Sequence, residues 1–280
     1  MGAPQTDVLS IKEIAIDDSE DLGAIAFVTI DRPDKLNALN AEVMSSLKDM
    51  VDWVEQTDSI RVVVITGAQP NEPEQGKRAK PNAFVAGADI TEFVGKKSDD
   101  IRKMFADNAV EALWNISKPT IAMVDGFALG GGCEVACSCD LRIASNRSRF
   151  GTPEINLGLI PGYGATQRLV NLLGYGKTME MVMTGEMIDS TDALKWGLVN
   201  HVVEPEQLFD FTMNLAKIIG SKSTHTLKVA KKTIRAALST GLEQGVAIEA
   251  EAFASLFDSE DKEIGVAAFI GRHQAKWQHK

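Results

Sequence analysis

The first half of the chain alternates short apolar runs with amphipathic stretches. Four runs are rich in β-branched residues and are predicted to be buried strands: residues 24–30, 61–66, 120–124 and 141–144. Apolar residues at helical spacing predict a helix that begins at the cap residue Asn40 and another over residues 101–116. Continuous apolar strands that alternate with helices are typical of a sheet covered on its faces, so the pattern predicts an α/β core.

After about residue 175 the pattern becomes helical. Asp189 or Ser190 can cap a short helix that ends at Gly197, and three longer helices are predicted over residues 205–219, 224–239 and 242–257. The second of these carries a basic face, which is expected to be solvated; its residues are Lys228, Lys231, Lys232 and Arg235. No low-complexity linker precedes these helices, so they are expected to pack on the core or on a neighbouring subunit.

Composition and charge restrict the possible partners. The net charge is −10, from 29 basic and 39 acidic residues, and a field of this sign repels nucleic acid. No apolar run approaches the ~18 residues that span a bilayer, and the N-terminus does not resemble a secretory signal, so no membrane partner is expected. Cys133, Cys137 and Cys139 lack the spacing of a metal site and are interpreted as reduced, packed thiols. We therefore expect a cytoplasmic protein without a bound metal.

Three segments carry residues suited to chemistry, although each has a structural alternative. Residues 83–90 are small enough for a ligand to approach the backbone, or they form a tight turn. Three consecutive glycines, 130–132, expose N–H groups at a helix start, or they allow close helix packing. Glu154 follows a proline before an apolar stretch, where it is a fixed carboxylate or an ordinary helix-start charge.

Taken together, these segments resemble the crotonase (enoyl-CoA hydratase/isomerase) superfamily, and most of all its short-chain enoyl-CoA hydratases. The resemblance lies in the strings AGADI, ALGGGCE and FGTPE…GLIPG…TQRL, with DRPDKLNAL as the opening motif. It implies a spiral of ββα turns over residues 1–200 that carries the acyl-CoA site. Residues 201–280 would then be a helical region that builds a homotrimer or a dimer of trimers.

The resemblance also implies roles for four residues. Glu134 and Glu154 match the two glutamates of the family's hydratases, including their separation of twenty residues. Glu134 would orient and activate water, and Glu154 would deliver the proton to Cα. Ala86 and Gly131 match the positions whose backbone N–H groups bind the thioester oxygen, where enolate charge develops. The implied activity is hydration of a 2-trans-enoyl-CoA to a 3-hydroxyacyl-CoA, in fatty-acid β-oxidation or related acyl-CoA degradation.

The acyl-CoA is expected to be the substrate, and no cofactor is expected. By similarity, the following residues contact it: Lys35, Leu36, Ala38, Ala86, Gly87, Ala88, Asp89, Ile90, Gly131, Pro161, Gly162, Phe269 and Arg272. Of these, Phe269 and Arg272 would reach a neighbouring subunit's nucleotide, and Lys35 and Arg272 are alternatively ordinary surface charges.

Two features depart from the family pattern. Ala165 replaces a common glycine, and a methyl group there could narrow the pocket near the reacting carbons. The polar loop 68–82 is longer than in the short-chain hydratases, and it could modulate acyl entry or be inert surface.

Other functions stay open at this point. The alternatives within the superfamily are an enoyl-CoA isomerase and a hydratase of a specialised branched or dicarboxylic acyl-CoA. Outside catalysis, some proteins of this fold bind acyl-CoA or RNA. Because both glutamates are present and the net charge is negative, hydration is the leading hypothesis.

Overall fold

The computed structural model describes residues 2–17, 22–73, 76, 78–106 and 108–280. The described residues form ten strands and eleven α-helices. The strands are β1 (Leu9–Ala15), β2 (Ala24–Ile30), β3 (Ile60–Gly67), β4 (Ala83–Val85), β5 (Thr120–Val124), β6 (Phe127–Leu129), β7 (Leu141–Ser145), β8 (Arg149–Gly151), β9 (Ile188–Asp189) and β10 (His201–Val203). The helices are α1 (Ala41–Gln56), α2 (Ser98–Ala106), α3 (Ala109–Asn115), α4 (Gly131–Ser138), α5 (Ala165–Leu173), α6 (Tyr175–Thr184), α7 (Ser190–Trp196), α8 (Pro205–Gly220), α9 (Thr224–Ala236), α10 (Leu242–Ser255) and α11 (Glu260–Gly271).

The strands form two sheets that the chain visits in turn. The larger sheet has the order β1-β2-β3-β5-β7-β10, and the smaller sheet has the order β4-β6-β8-β9. Strands β2, β3, β5, β7 and β10 run parallel, as do β4, β6 and β8, while β1 and β9 pair antiparallel at an edge. Each turn therefore supplies one strand to each sheet. The prediction of an α/β core with C-terminal helices is confirmed, whereas the division at residue 200 stays a prediction.

The larger sheet is covered by helices on its two faces. On one side lies α1, whose cap residue Asn40 accepts a hydrogen bond from Val43 N at 3.0 Å, as the sequence predicted. On the other side lies α8, whose Leu208, Met213 and Ala216 belong to a second apolar cluster with residues of β2, β3, β5 and β7. Because helices shield both faces of the larger sheet from water, its inner strands are apolar at nearly every position, as in the fully buried β5.

The helix predicted over residues 101–116 is in fact two helices, so that prediction is wrong. Asn108 interrupts the predicted helix because its side chain caps the start of α3. It accepts hydrogen bonds from Val110 N at 2.9 Å and Glu111 N at 3.2 Å. Asparagine strongly favours this cap position over a helix interior. The preceding residue, Asp107, lies outside the described residues.

The basic face of α9 is not simply solvated, contrary to the sequence prediction. Lys231 and Arg235 are only 10% and 19% exposed, and both pair with Asp140, at 2.7 Å and 2.8 Å. Lys231 Nζ also donates to Lys118 O. A charged helix face can therefore pack against the core when a carboxylate of the core forms ion pairs with it.

The C-terminal helices also leave large apolar side chains exposed, among them Ile234, Leu242 and Phe269, which are 72%, 86% and 87% exposed. The contacts of α8 and α9 described above confirm the expected packing on the core for these two helices. Assembly into trimers stays a prediction.

The loop over residues 68–82 agrees with its polar sequence. Its described residues form neither helix nor strand and are mostly exposed. Positions 74, 75 and 77 of this prediction lie outside the described residues.

Candidate active site

The opening motif forms a tight loop with two successive left-handed residues, Leu36 (φ 51°) and Asn37 (φ 58°). Asparagine tolerates this conformation better than most residues, and the buried side chain of Asn37 also holds the loop in place. Its Nδ2 donates to Ala68 O and Ala83 O at 2.9 and 2.8 Å, and its Oδ1 accepts from Arg32 N at 3.0 Å. The loop is therefore fixed against the ends of β3 and β4.

This loop pairs with the segment that follows β4. Leu39 N donates to Gly87 O at 2.9 Å and Asp89 N donates to Leu39 O at 2.7 Å, so that Leu39 and Ala88 form a parallel bridge. In such a bridge the middle residue has its own N–H directed away from the partner strand. The N–H of Ala88 is thereby left available on the opposite side.

An ion pair joins the same two segments. Arg32 Nη2 lies 3.1 Å from Asp89 Oδ2, and Arg32 Nη1 donates to Ala38 O. Hydrogen bonds from Thr91 and Arg32 hold the pKa of Asp89 below its ordinary value. Asp89 therefore fixes the segment, and its predicted contact with the acyl-CoA stays a prediction.

The assignment of Ala86 as an amide donor to the thioester is contradicted by its hydrogen bond. Ala86 N donates to Leu36 O at 3.0 Å, so its proton is already used within the fold. The amide beside Gly131 is that of Ala88, because a side-chain carbon added to Gly131 would lie 3.6 Å from Ala88 N. Gly131 begins α4, where first-turn N–H groups have no acceptor within the helix. The two available donors at this place are therefore Ala88 and Gly131.

Glu134 lies in the first half of α4 and is 1% exposed. Its Oε1 accepts two backbone hydrogen bonds, from Tyr163 N at 2.7 Å and from Ala165 N at 3.0 Å. Burial is the largest influence on this carboxyl and raises its pKa to about 7, while the two amides act in the opposite direction and the charge of Glu154 adds to the rise. Glu134 therefore changes its charge near neutral pH.

Glu154 lies in a short 3₁₀ helix, Pro153–Leu157, that follows β8. Burial also raises the pKa of this carboxyl. Its Oε2 is buried and has no hydrogen-bond partner among the described residues. A carboxyl with a buried, unpartnered oxygen favours its neutral form, so the two glutamates have different environments.

Gly130 lies directly against the Glu154 carboxyl. Its backbone has φ 50° and ψ −121°, which favours glycine, and an added side-chain carbon would lie 2.8 Å from Glu154 Oε1. The absence of a side chain at residue 130 is thus part of what positions Glu154.

Gly130→Ala is expected to lower kcat at least tenfold, because the methyl group displaces the Glu154 carboxyl from the cavity by a fraction of an ångström or more. The measurement is steady-state kinetics of the hydration that the sequence resemblance implies, together with urea unfolding. Gly174→Ala is the control, since Gly174 also has positive φ (77°) but an added carbon meets nothing within 4 Å. An equal loss of kcat in both variants would contradict the positioning role of Gly130.

The two glutamates and the two amides face one cavity of about 660 Å³. Of the predicted contacts, nine line it: Ala86, Gly87, Ala88, Ile90, Gly131, Glu134, Glu154, Pro161 and Gly162. Six do not: Lys35, Leu36, Ala38, Asp89, Phe269 and Arg272. Phe269 and Arg272 lie at the end of α11, and their predicted contact with a neighbour's nucleotide stays a prediction.

Sequence reasoning missed most of the apolar wall of this cavity. The missed apolar and aromatic residues are Phe93, Ile101, Phe105, Pro153, Leu157, Leu159, Ile160 and Tyr163, and Lys96 and Gly130 were missed as well. Phe105 and Tyr163 stack edge to face with ring centroids 4.7 Å apart. The available signal in the sequence was the apolar run after Glu154, and the structure shows its Leu159 and Ile160 to be 46% and 68% exposed beside this opening. The cavity thus combines an apolar wall with a few convergent polar groups.

Ala165 does not narrow the cavity, contrary to the expectation from the family pattern. It is fully buried in the core cluster and is not among the lining residues. Its contribution to the site is its backbone N–H on Glu134.

The described residues contain no group of three or more His, Cys, Asp or Glu side chains that could hold a metal ion. The three cysteines are free and buried. Within the described part of the chain, no helix is long and apolar enough to cross a membrane.

Known proteins resemble this chain over nearly its whole length. A family model described as enoyl-CoA hydratase/isomerase matches residues 20–280. The short-chain-enoyl-CoA hydratase of Clostridium acetobutylicum is 39% identical over 254 residues, covering 90% of this chain and 93% of that protein. The crotonyl-CoA hydratase of Syntrophomonas wolfei is 35% identical over 258 residues, covering 91% and 95%. The crystal structure of an enoyl-CoA hydratase from Bacillus anthracis has a TM-score of 0.87 at 27% identity, covering 98% of this chain and 100% of that one.

Proposed function

The chain belongs to the enoyl-CoA hydratase/isomerase family, and we propose that it is an enoyl-CoA hydratase that adds water to a 2-trans-enoyl-CoA to give a 3-hydroxyacyl-CoA. The observation that carries this proposal is the pair Glu134 and Glu154 on one cavity with the Ala88 and Gly131 amides. Hydration needs one group to take a proton from water, a second to give a proton to Cα, and donors for the thioester oxygen.

Glu134 is the base in this proposal. Its Oε1 is held by two amides, which support the ionised form and leave Oε2 to accept a proton from water. As the water oxygen bonds to Cβ, its proton passes to Glu134. The pKa of about 7 suits this task, since a base works best when it titrates near the working pH.

Glu154 is the acid. Burial raises the pKa of both carboxyls, but Glu134 accepts two amide hydrogen bonds while the buried Oε2 of Glu154 has no partner among the described residues, so the proton of the pair is assigned to Glu154, which delivers it to Cα. Between the two transfers, negative charge lies on the thioester oxygen, where the Ala88 and Gly131 amides stabilise it. After product formation, the proton on Glu134 returns to Glu154, and the pair as a whole neither gains nor loses a proton.

The remaining expectations extend this proposal. The acyl-CoA nucleotide is assigned to the opening loop near Lys35, Leu36 and Ala38, outside the acyl cavity, and Phe269 and Arg272 to the nucleotide of a neighbouring subunit. No further cofactor is required, since the CoA thioester is itself the substrate. A homotrimer or dimer of trimers fits the exposed apolar side chains of the C-terminal helices. The proposed setting is the cytoplasm, in fatty-acid β-oxidation or a related degradation.

A panel of thioesters tests the function. Crotonyl-CoA is expected to lose its enoyl absorbance, and longer, branched, dicarboxylic and β,γ-unsaturated thioesters define the range. Gain of enoyl absorbance from a β,γ-unsaturated thioester, without loss from any α,β-unsaturated one, would instead identify an isomerase. If no α,β-unsaturated thioester is hydrated, the proposed function is rejected.

A further inference from the structure

Arg168 is a buried cation behind the segment that holds Glu134. Its side chain extends from α5 and is 9% exposed. Nη1 donates to Tyr163 O at 2.7 Å, and Nη2 donates to Glu111 Oε2 at 2.6 Å. The guanidinium also lies over the ring of Trp114, 4.7 Å from its centroid. Three different groups therefore fix one rigid planar fork.

The carbonyl that Arg168 binds belongs to the same turn as the two amides on Glu134. Tyr163 N and Ala165 N point to Glu134 Oε1, whereas Tyr163 O points to the guanidinium. The backbone of Arg168 holds the next carbonyl as well, because Arg168 N donates to Gly164 O at 3.0 Å. Peptide groups are planar, so fixing Gly164 O also fixes the direction of the Ala165 N–H.

Gly164 gives the guanidinium room to reach this turn. Its φ is 104°, and an added side-chain carbon would lie 2.3 Å from Arg168 Nη1 and 3.0 Å from Cζ. The guanidinium thus occupies the space that any larger residue at position 164 would need.

We propose that Arg168 is a positioning residue of the hydration reaction, which holds the 163–165 turn in the geometry that binds the Glu134 carboxylate. The inference rests on the proposed function. Arg168 does not line the acyl cavity, so it acts through the turn and not by touching the substrate.

Arg235 provides a matched control. Its guanidinium also stacks on Trp114, 3.9 Å from the ring centroid, it donates to Trp114 O, and it pairs with Asp140. It is likewise mostly buried, yet it makes no bond to the 163–165 turn. Replacing Arg235 therefore removes comparable packing and charge without touching the groups that hold Glu134.

Charged and titratable groups act on Glu134 from several elements. Glu154 raises the pKa of Glu134 and Arg168 lowers it. The neighbouring titratable groups are Cys133 and Cys137 on α4 itself and the phenol of Tyr163. Loss of the Arg168 guanidinium removes a nearby positive charge and the side-chain bond to Tyr163 O that steadies the turn, so the pKa of Glu134 rises and the acidic limb of the rate profile moves to higher pH.

The test compares Arg168→Ala with Arg235→Ala in steady-state hydration of crotonyl-CoA from about pH 5 to about pH 9. Arg168→Ala is expected to lose about 10²-fold in kcat, the size of effect that follows a small misplacement, with KM within about threefold. Its acidic limb is expected to shift upward, and millimolar guanidinium ion is expected to restore part of kcat. A second cavity of about 760 Å³, lined by Arg168 and Arg235, gives that ion a route to the vacated space. Arg235→Ala is expected to keep the kcat and the acidic limb of the unaltered protein.

The proposal is overturned if folded Arg168→Ala keeps its kcat and acidic limb, or if both variants lose kcat equally without rescue. If Arg168→Ala does not fold, Arg168→Lys is used, because it keeps the charge and most of the stem. An Arg168→Lys protein with the kcat and acidic limb of the unaltered chain also overturns the proposal. Absence of hydration by the unaltered protein is a separate failure, which rejects the function itself.

Discussion

Glu134→Gln and Glu154→Gln are each expected to lower kcat for crotonyl-CoA by about 10³-fold, while the protein still binds the CoA thioester. A positioned acid or base contributes about 10²–10⁴-fold, and an amide can neither accept nor deliver the proton. Glutamine keeps the shape of the side chain, and at residue 134 its oxygen can still accept the two backbone hydrogen bonds. The measurements are steady-state kinetics and calorimetric titration with a non-reacting acyl-CoA. Full activity in either variant would refute the role assigned to that residue.

The pH dependence of stability separates lost chemistry from lost folding in Glu134→Gln. The pKa of Glu134 rises from 4.5 to about 7 in the folded protein, so the neutral form is favoured there. The contribution of the neutral Glu134 carboxyl to the free energy of unfolding is complete below about pH 4.5 and is lost as the pH rises through about 7. Glutamine has no charge to bury, so the variant is expected to be more stable than the unaltered chain at pH 8, by about 3 kcal/mol. Urea unfolding at about pH 5 and about pH 8 measures the difference, and a variant that is less stable at both would oppose this account.

Replacing the Ala88 amide by an ester is expected to lower kcat by about 10²–10³-fold, the usual loss when one oxyanion donor is removed. The change is Ala88→lactic acid, introduced by nonsense suppression, which removes the N–H hydrogen and leaves the methyl group in place. Asp89 N keeps its bond to Leu39 O, and Leu39 N can still donate to Gly87 O although an ester carbonyl is a weaker acceptor, so the segment is expected to keep its position. The measurement is kcat with crotonyl-CoA, with urea unfolding in parallel.

The same ester at residue 86 is the control. Ala86→lactic acid removes the bond to Leu36 O, which is an internal bond of the fold, so it is expected to lower stability more than kcat. If instead the ester at 86 abolishes hydration and the ester at 88 does not, the assignment of Ala88 as the donor is wrong.

The comparison of Ala86 with Ala88 shows where sequence reasoning ends. The string AGADI identifies a segment, but which amide is free depends on pairing with Leu36 and Leu39, almost fifty residues away. The positions of Glu134 and Glu154 were predictable from their motifs. The turn that holds Glu134 was not, since Tyr163 and Ala165 carry no chemical signal of their own and act through backbone N–H groups.

The secondary-structure elements show the same contrast between what local sequence decides and what distant residues decide. Strands β2 and β5 were predicted residue for residue, and α1 begins after its predicted cap Asn40, because the local apolar period and caps decide these elements. The break at Asn108 was missed because an apolar stripe continues on both sides of it. Lys231 and Arg235 looked like solvated charges because Asp140, which receives them, is distant in sequence.

The donors at Ala88 and Gly131 come from the main chain, and this has a consequence for how such a protein can change. No substitution of a neighbouring side chain deletes them, as long as the bridge to Leu39 and the start of α4 persist. Proteins that descend from this one could therefore replace the acids at 134 or 154 and catalyse new reactions, while the backbone donors still bind the oxygen of a thioester. The backbone donors are thus retained, while the side chains at residues 134 and 154 are free to vary.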